Sequence, residues 1–186
     1  MLTYIENTMK MPVMAVREAI EYANENLFAE GKKKPDLTGM GTTVVAASII
    51  DNILHVFNVG DSRCYILDEH GISQITKDHS LVEVLVSKGE ITRESDEYKK
   101  NKSKITRAVG AEEKVLIDSF EVELTGNEYV LLCSDGLTNM VDDGKIFNII
   151  SSGTGVRSSA KRLIEEANLS GGSDNISILL IDMNAR

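Results

Sequence analysis

Between Thr42 and Thr76 the chain runs as a succession of short apolar segments, each cut off by a tight-turn signal. Residues 42–50 end at Asp51-Asn52, residues 53–59 end at Gly60-Asp61-Ser62, and residues 63–67 give way at Glu69-His70-Gly71 to residues 72–76. Strand-sized runs joined by turns this short predict an antiparallel meander, in which Asp61 is a hairpin-turn residue. Few other folds tolerate such a spacing.

Helices are expected on either side of these strands. Pro12 opens a helix over residues 13–30, whose Val13, Val16, Ile20, Ala23 and Leu27 keep helical spacing. Residues 31–39 read as a loop. Residues 78–104 are polar and charged; Ser80 and Glu83 have capping-box spacing, and Gly89 is a helix stop. This segment is expected to be a mobile, solvent-facing insertion. Strands resume at 115–124 and 129–133, helices follow at 143–150 and 158–168, and a last strand covers 175–182. Strands, then helices, then a strand predict an α+β fold with helices packed on antiparallel sheets. The 186 residues contain no internal repeat, so one domain, 1–186, is expected.

Charge narrows the function. The net charge is −9, which argues against a nucleic-acid binder and against docking on anionic lipid. An acidic chain handles phosphate only with something positive in the site, such as a metal ion. The longest apolar runs, 44–50 and 176–181, are strand-length, so no membrane span is expected, and the N-terminus does not read as a signal peptide. Cys64 and Cys133 sit in apparent strands and read as reduced core thiols, which suits a cytoplasmic protein.

Three aspartates fall at strand ends. Asp135 follows the apolar run 129–134 and precedes Gly136. Asp174 follows Gly171-Gly172-Ser173 and, with Asn175, opens the last strand. Asp78 follows residues 72–76. Asp135 leaves its strand and Asp174 enters its own, so antiparallel neighbours would carry both carboxylates at one end of the sheet. Two such carboxylates are costly together unless a cation bridges them, and oxygen ligands suit hard cations such as Mg2+ or Mn2+. Each aspartate also has an ordinary reading: Asp-Gly and Asp-Asn are turn signals, and Asp78 caps a helix. The three histidines lack metal-ligand spacing. No phosphate-loop, dinucleotide or serine-hydrolase signature is present.

Six segments in this order, GMGTTVVAA, HVFNVGDSRCYIL, ITKDHSLVEVLVSKGEIT, KITRAVG, YVLLCSDGLTNMV and GGSDNISILLI, resemble the metal-dependent Ser/Thr protein phosphatases of type 2C (the PPM family), above all their compact bacterial members. The resemblance runs from about Val13 to the C-terminus. It implies an antiparallel β-sandwich flanked by helix pairs, a centre of Mn2+ or Mg2+, and hydrolysis of phosphoserine and phosphothreonine by a metal-activated water. By position, Asp135 and Asp174 match ligands of the first metal, beside Gly136 and Asn175, and Asp78 matches a ligand of a third, weaker site. The insertion, with Ser80 and Gly89, matches the family's flap. Phosphorylated proteins, targets of a Ser/Thr kinase, are the implied partners.

The sequence also departs from the family. Ahead of the first helix the family carries a phosphate-gripping arginine and an Asp-Gly-Met-Gly-Gly segment whose aspartate bridges two metals; neither is among these residues. The chain therefore reads as an N-terminally truncated member, weakly active or inactive by itself, with self-association expected through exposed strand edges. The alternative is a catalytically dead binding or regulatory module.

Overall fold

The computed structural model describes residues 12–184. Loss of the family's leading strands leaves three expected outcomes: residues 1–11 partly fill the gap, a second copy of the chain does, or the fold rearranges; the first of these lies outside the described residues. The chain divides into two compact units, one of the chain up to Ser48 with Phe57–Asp61 and Asp78–Ser119, the other of Ile49–Val56, Ser62–Lys77 and the chain from Phe120.

Helix α1 (Pro12–Lys33) opens the described chain. It outlasts the expected helix by three residues, and the predicted loop begins with a 3-10 turn at Pro35–Leu37. Val16 and Ile20 of α1 pack with Phe57, Val59 and Val109 in the core of the first unit. Asn24 is buried on the same helix. Its Nδ2 donates to the carbonyls of Glu112 (3.0 Å) and Glu113 (3.2 Å), and its Oδ1 accepts the amide of Gly110 (2.7 Å). A polar side chain is tolerated there because its donors and its acceptor are used.

Strands β1 (Val44–Ile50) and β2 (Ile53–Val59) are joined through Asp51 and Asn52, both at positive φ (49° and 64°), the geometry of a two-residue hairpin turn. With β5 (Asp118–Glu123) they form a three-stranded sheet of order β1-β2-β5. Strands β3 (Arg63–Asp68), β4 (Gly71–Gln74), β6 (Tyr129–Cys133) and β7 (Ile178–Asp182) form a second sheet of order β4-β3-β6-β7, antiparallel throughout. The meander is therefore corrected at one point: β2 and β3 lie in different sheets. Gly60-Asp61-Ser62 carries the chain from one sheet to the other, and Asp61 is a buried crossover residue, not a hairpin turn.

Between β4 and β5 come α2 (Leu81–Ser87) and α3 (Asp96–Asn101). Between β6 and β7 come a single turn, α4 (Asp135–Thr138), then α5 (Asp143–Ile150) and α6 (Val156–Leu169). Ile146 and Ile150 of α5 and Leu163 and Ala167 of α6, at helical spacing, bury against Tyr65, Leu67, Leu131 and Cys133 of the second sheet. Both cysteines are free and buried, as expected, and burial pushes the Cys64 thiol up to about 12. Among the described residues no helix is long and apolar enough to cross a membrane.

The turn into β6 is closed by Glu128. Its carboxylate accepts the Thr125 amide and hydroxyl (2.8 Å each) and the amides of Gly126 (2.9 Å) and Asn127 (3.0 Å). Burial by itself would raise this carboxyl; the hydrogen bonds outweigh it and hold the group below the ordinary range. A depressed carboxylate stabilises the fold above its unfolded pKa of about 4.3 and loses that contribution as pH falls through its lower folded value. Glu128→Gln is expected to cost about 2 kcal/mol at neutral pH, in the range of hydrogen bonds to charged groups. Urea unfolding at pH 7 and below pH 4 checks this: the deficit should narrow in acid.

Candidate metal centre

Strands β6 and β7 pair up to Cys133 and Ile178, and beyond them the two chains stay laced. The Ser134 amide donates to the Ser177 carbonyl (3.0 Å), the Ser177 amide to Ser134 Oγ (3.0 Å), and Ser134 Oγ to the Asn175 carbonyl (3.1 Å). Gly136 completes the contact: a Cβ there would lie 2.3 Å from the Asn175 carbonyl oxygen. Only a residue without a side chain lets the start of α4 come so near the strand entering from Asp174. The segments carrying Asp135 and Asp174 thus meet at one end of the second sheet, as the strand-end reading expects.

Asp135 is half-buried at the first position of α4, and its Oδ2 accepts Asn139 Nδ2 (2.9 Å). That hydrogen bond fixes the carboxylate's rotamer from one turn away. Asp174 is exposed, with Oδ1 accepting the Asn175 amide (2.7 Å). Asp78, half-buried, belongs to the other unit, on the segment leading into α2. Among the described residues no group of three His, Cys, Asp or Glu side chains converges as a metal-holding cluster. Both Asp135 and Asp174 offer only carboxylate oxygens, the donor type of hard cations.

The insertion is tied at its base and across its tip. Ser80 pairs with Ile105, the Leu81 amide donates to the Lys104 carbonyl (2.8 Å), and the Thr106 amide to the His79 carbonyl (2.7 Å). Ser80 caps α2, its hydroxyl accepting the Glu83 amide, and Gly89, at φ 71°, ends that stretch. Glu83 does not complete a reciprocal capping box. Its carboxylate instead takes both Arg93 nitrogens (2.6 and 2.7 Å) and the Tyr98 hydroxyl (3.2 Å), joining α2 to the unanticipated α3.

Sequence reasoning missed one network. The buried His79 accepts the Gly60 amide at Nδ1 (3.1 Å) and faces Asp118 with Nε2 (3.1 Å). An imidazole accepting at Nδ1 carries its proton on Nε2, so Nε2 donates to Asp118. Arg107 reaches the other oxygen of Asp118 (2.7 Å). Desolvation pushes the Asp118 carboxyl up, but the His79 and Arg107 hydrogen bonds prevail and hold it below the usual range. These residues anchor the chain immediately after Asp78. They lie 28 to 39 positions apart from His79, and no local pattern announces them.

The protein phosphatase 2C family pattern matches residues 6–176. The serine/threonine phosphatase stp of Listeria monocytogenes is 41% identical over 167 residues, covering 90% of this chain and 66% of that protein. Among solved structures, the serine/threonine phosphatase Stp1 from Staphylococcus aureus superposes with a TM-score of 0.84 at 33% identity, over 89% of this chain and 65% of that one. The catalytic domain of the serine threonine protein phosphatase PstP, in complex with 2 manganese ions, superposes at 0.81 with 33% identity, over 97% and 76%. The fold is the α+β fold of these bacterial phosphatases. The chain belongs to the protein phosphatase 2C family and spans about two thirds of the length of the curated relatives it matches.

Proposed function

We propose that this chain is the larger part of a metal-dependent Ser/Thr protein phosphatase, acting on phosphoserine and phosphothreonine in proteins phosphorylated by a Ser/Thr kinase. The observation that carries the reading is the lacing of Ser134 and Gly136 onto residues 175–177, which brings the Asp135 and Asp174 segments together. Asp135 and Asp174 would hold one Mn2+ or Mg2+, with Asp78 serving a weaker site, and a relative's complex with manganese supports that choice of ion. When bound, the cation supplies Lewis acidity: it draws charge off the phosphoryl group and makes water a stronger acid. Asn139 holds the Asp135 carboxylate in place. Residues 78–104 serve as the flap, and the whole chain acts as one phosphatase-like domain in the cytoplasm, where Cys64 and Cys133 stay reduced.

Turnover by these 186 residues is expected to be weak, because they contain no Asp-Gly-Met-Gly-Gly segment. Loss of a single preorganised charge-stabilising contact costs roughly 10²–10³-fold in rate. Manganese-dependent hydrolysis of a phosphopeptide should therefore run at least about a hundredfold below that of a full-length relative assayed alongside. Vigorous hydrolysis abolished by Asp135→Asn would show that the ligand set is complete without that segment. The same missing segment supports the second reading, a phosphatase-like binding or regulatory module. Self-association through strand edges is supported by β1, an edge strand of seven residues that are all only half-buried, and by Leu179 on the edge strand β7, 53% exposed.

A further inference from the structure

Strand β7 is an edge of the second sheet, and among the described residues no strand lies on its outer side. The ladder to β6 fixes which of its backbone groups point outward. The Met183 amide donates to the Glu128 carbonyl (2.9 Å), and the Ser134 amide to the Ser177 carbonyl (3.0 Å). Antiparallel pairing alternates along a strand. Ser177, Leu179, Ile181 and Met183 therefore turn their amides and carbonyls towards β6, and Ile178, Leu180 and Asp182 turn theirs away from it.

The side chains alternate as well. Ile178 and Leu180 pack with the core under α5 and α6, so Leu179 and Ile181 stand on the opposite face, where Leu179 is 53% exposed. Natural edge strands are blunted by lysine, proline or brevity. The other edge of this sheet, β4, has four residues, of which Ser73 and Gln74 are exposed. On β7, residues 175–181 hold neither a charge nor a proline. Strand β1, an edge of the other sheet, is uncharged too, but none of its side chains is a large, exposed apolar one.

We propose that the outer edge of β7 pairs with β7 of a second copy of this chain, antiparallel about a two-fold axis beside Leu180, so that one sheet runs through both chains. This rests on the self-association reading above and narrows it to one edge and one register. The outward-facing residues set that register. Leu180 meets Leu180 of the partner subunit, and Ile178 meets Asp182 of the partner subunit, each pair exchanging its backbone hydrogen bonds. A shift by one residue would set outward groups against groups already bonded to β6. On the opposite face Leu179 falls across from Ile181 of the partner subunit, which gives the exposed leucine an aliphatic neighbour. The carboxylate of Asp182 lies across from an isoleucine, so no like charges are placed opposite each other. The edge thus matches itself in hydrogen bonding, apolar contact and charge, and an isologous contact closes at two chains.

The test is sedimentation velocity of the full chain with a chelator present, which keeps the outcome independent of metal binding. A reversible monomer–dimer equilibrium is expected at roughly 10–100 µM chain, as suits a small interface. Leu179→Lys should raise the dimer dissociation constant at least about tenfold. Leu169→Lys, at a fully solvent-facing leucine on α6, should leave it unchanged, and circular dichroism should show both variants folded. Under oxidised glutathione, Leu180→Cys should form a disulfide-linked dimer, since residues directly opposite in such a pair lie about 5.5 Å apart. Leu179→Cys should not, because its counterpart is staggered by two positions. A dimer unaffected by Leu179→Lys overturns the proposal and leaves self-association to another surface. A monomer at every concentration overturns both. Cross-linking of Leu179→Cys as readily as of Leu180→Cys overturns the register.

Discussion

Gly136→Ala is expected to destabilise the protein by about 3 kcal/mol, at the upper end of what overpacking costs. The added Cβ would sit 2.3 Å from the Asn175 carbonyl oxygen and 3.0 Å from its carbon. Both are backbone atoms, so no side-chain rotation relieves the overlap. The start of α4 must move away from the segment that enters β7. That movement strains the hydrogen bonds between Ser134 and residues 175–177 and parts the segments that carry Asp135 and Asp174. Thermal unfolding should show a fall of roughly 6–12 °C in a chain of this size. Any stabilisation by manganese should also vanish. A variant that unfolds near the wild-type temperature and still responds to manganese would show that the close approach is not required.

The second large effect is expected at Gly60→Ala. Gly60 has φ 108°, a region that residues with a Cβ rarely adopt, and its Cβ would lie 2.3 Å from Thr43 Cγ2 and 2.6 Å from Thr43 Cβ. Strain and overlap act together, and the expected loss is about 3–4 kcal/mol. The two contributions separate in a double-mutant cycle. Adding Thr43→Gly removes the overlapping atoms but leaves the backbone strain, so it should recover about half of the loss. Full recovery would assign the effect to the overlap alone. Gly60 also exchanges two hydrogen bonds with His79, at 2.9 and 3.1 Å. The same substitution therefore loosens the chain that leads through Asp78 into the insertion.

The parts of the fold that were legible in the sequence are those with local causes. Strands β2 and β6 and helix α5 fall on their expected residues, because each is an apolar run or a helical period bounded by its own turn or cap. The Asp51-Asn52 hairpin is legible for the same reason. The path through Gly60-Asp61-Ser62 is not: those three residues suit a hairpin and a crossover equally, and the choice depends on which sheet the next strand joins. The strand expected over 115–124 shortens to β5 because Val115 and Ile117, which continue its alternation, pack instead with the α1 core. Helices α3 and α4 are too short for a period to register.

The candidate site divides along the same line. The convergence of the Asp135 and Asp174 segments follows from strand polarity, which the sequence carries. The reason for Gly136 does not. Asp135-Gly136 looks like a turn, whereas the glycine answers to a carbonyl 39 positions away. The network of His79, Arg107 and Asp118 is equally hidden, because its members meet only once the first unit is folded.

The most direct measurement is a manganese titration of the full chain, followed by electron paramagnetic resonance of free Mn2+ and by melting temperature, with Asp135→Asn and Asp174→Asn beside the wild type. Expected is one site of modest affinity in the wild type, a rise in melting temperature at millimolar manganese, and loss of both in either variant. Unaltered binding in one of the variants, or no response in the wild type, would contradict the sharing of a divalent ion by these two carboxylates.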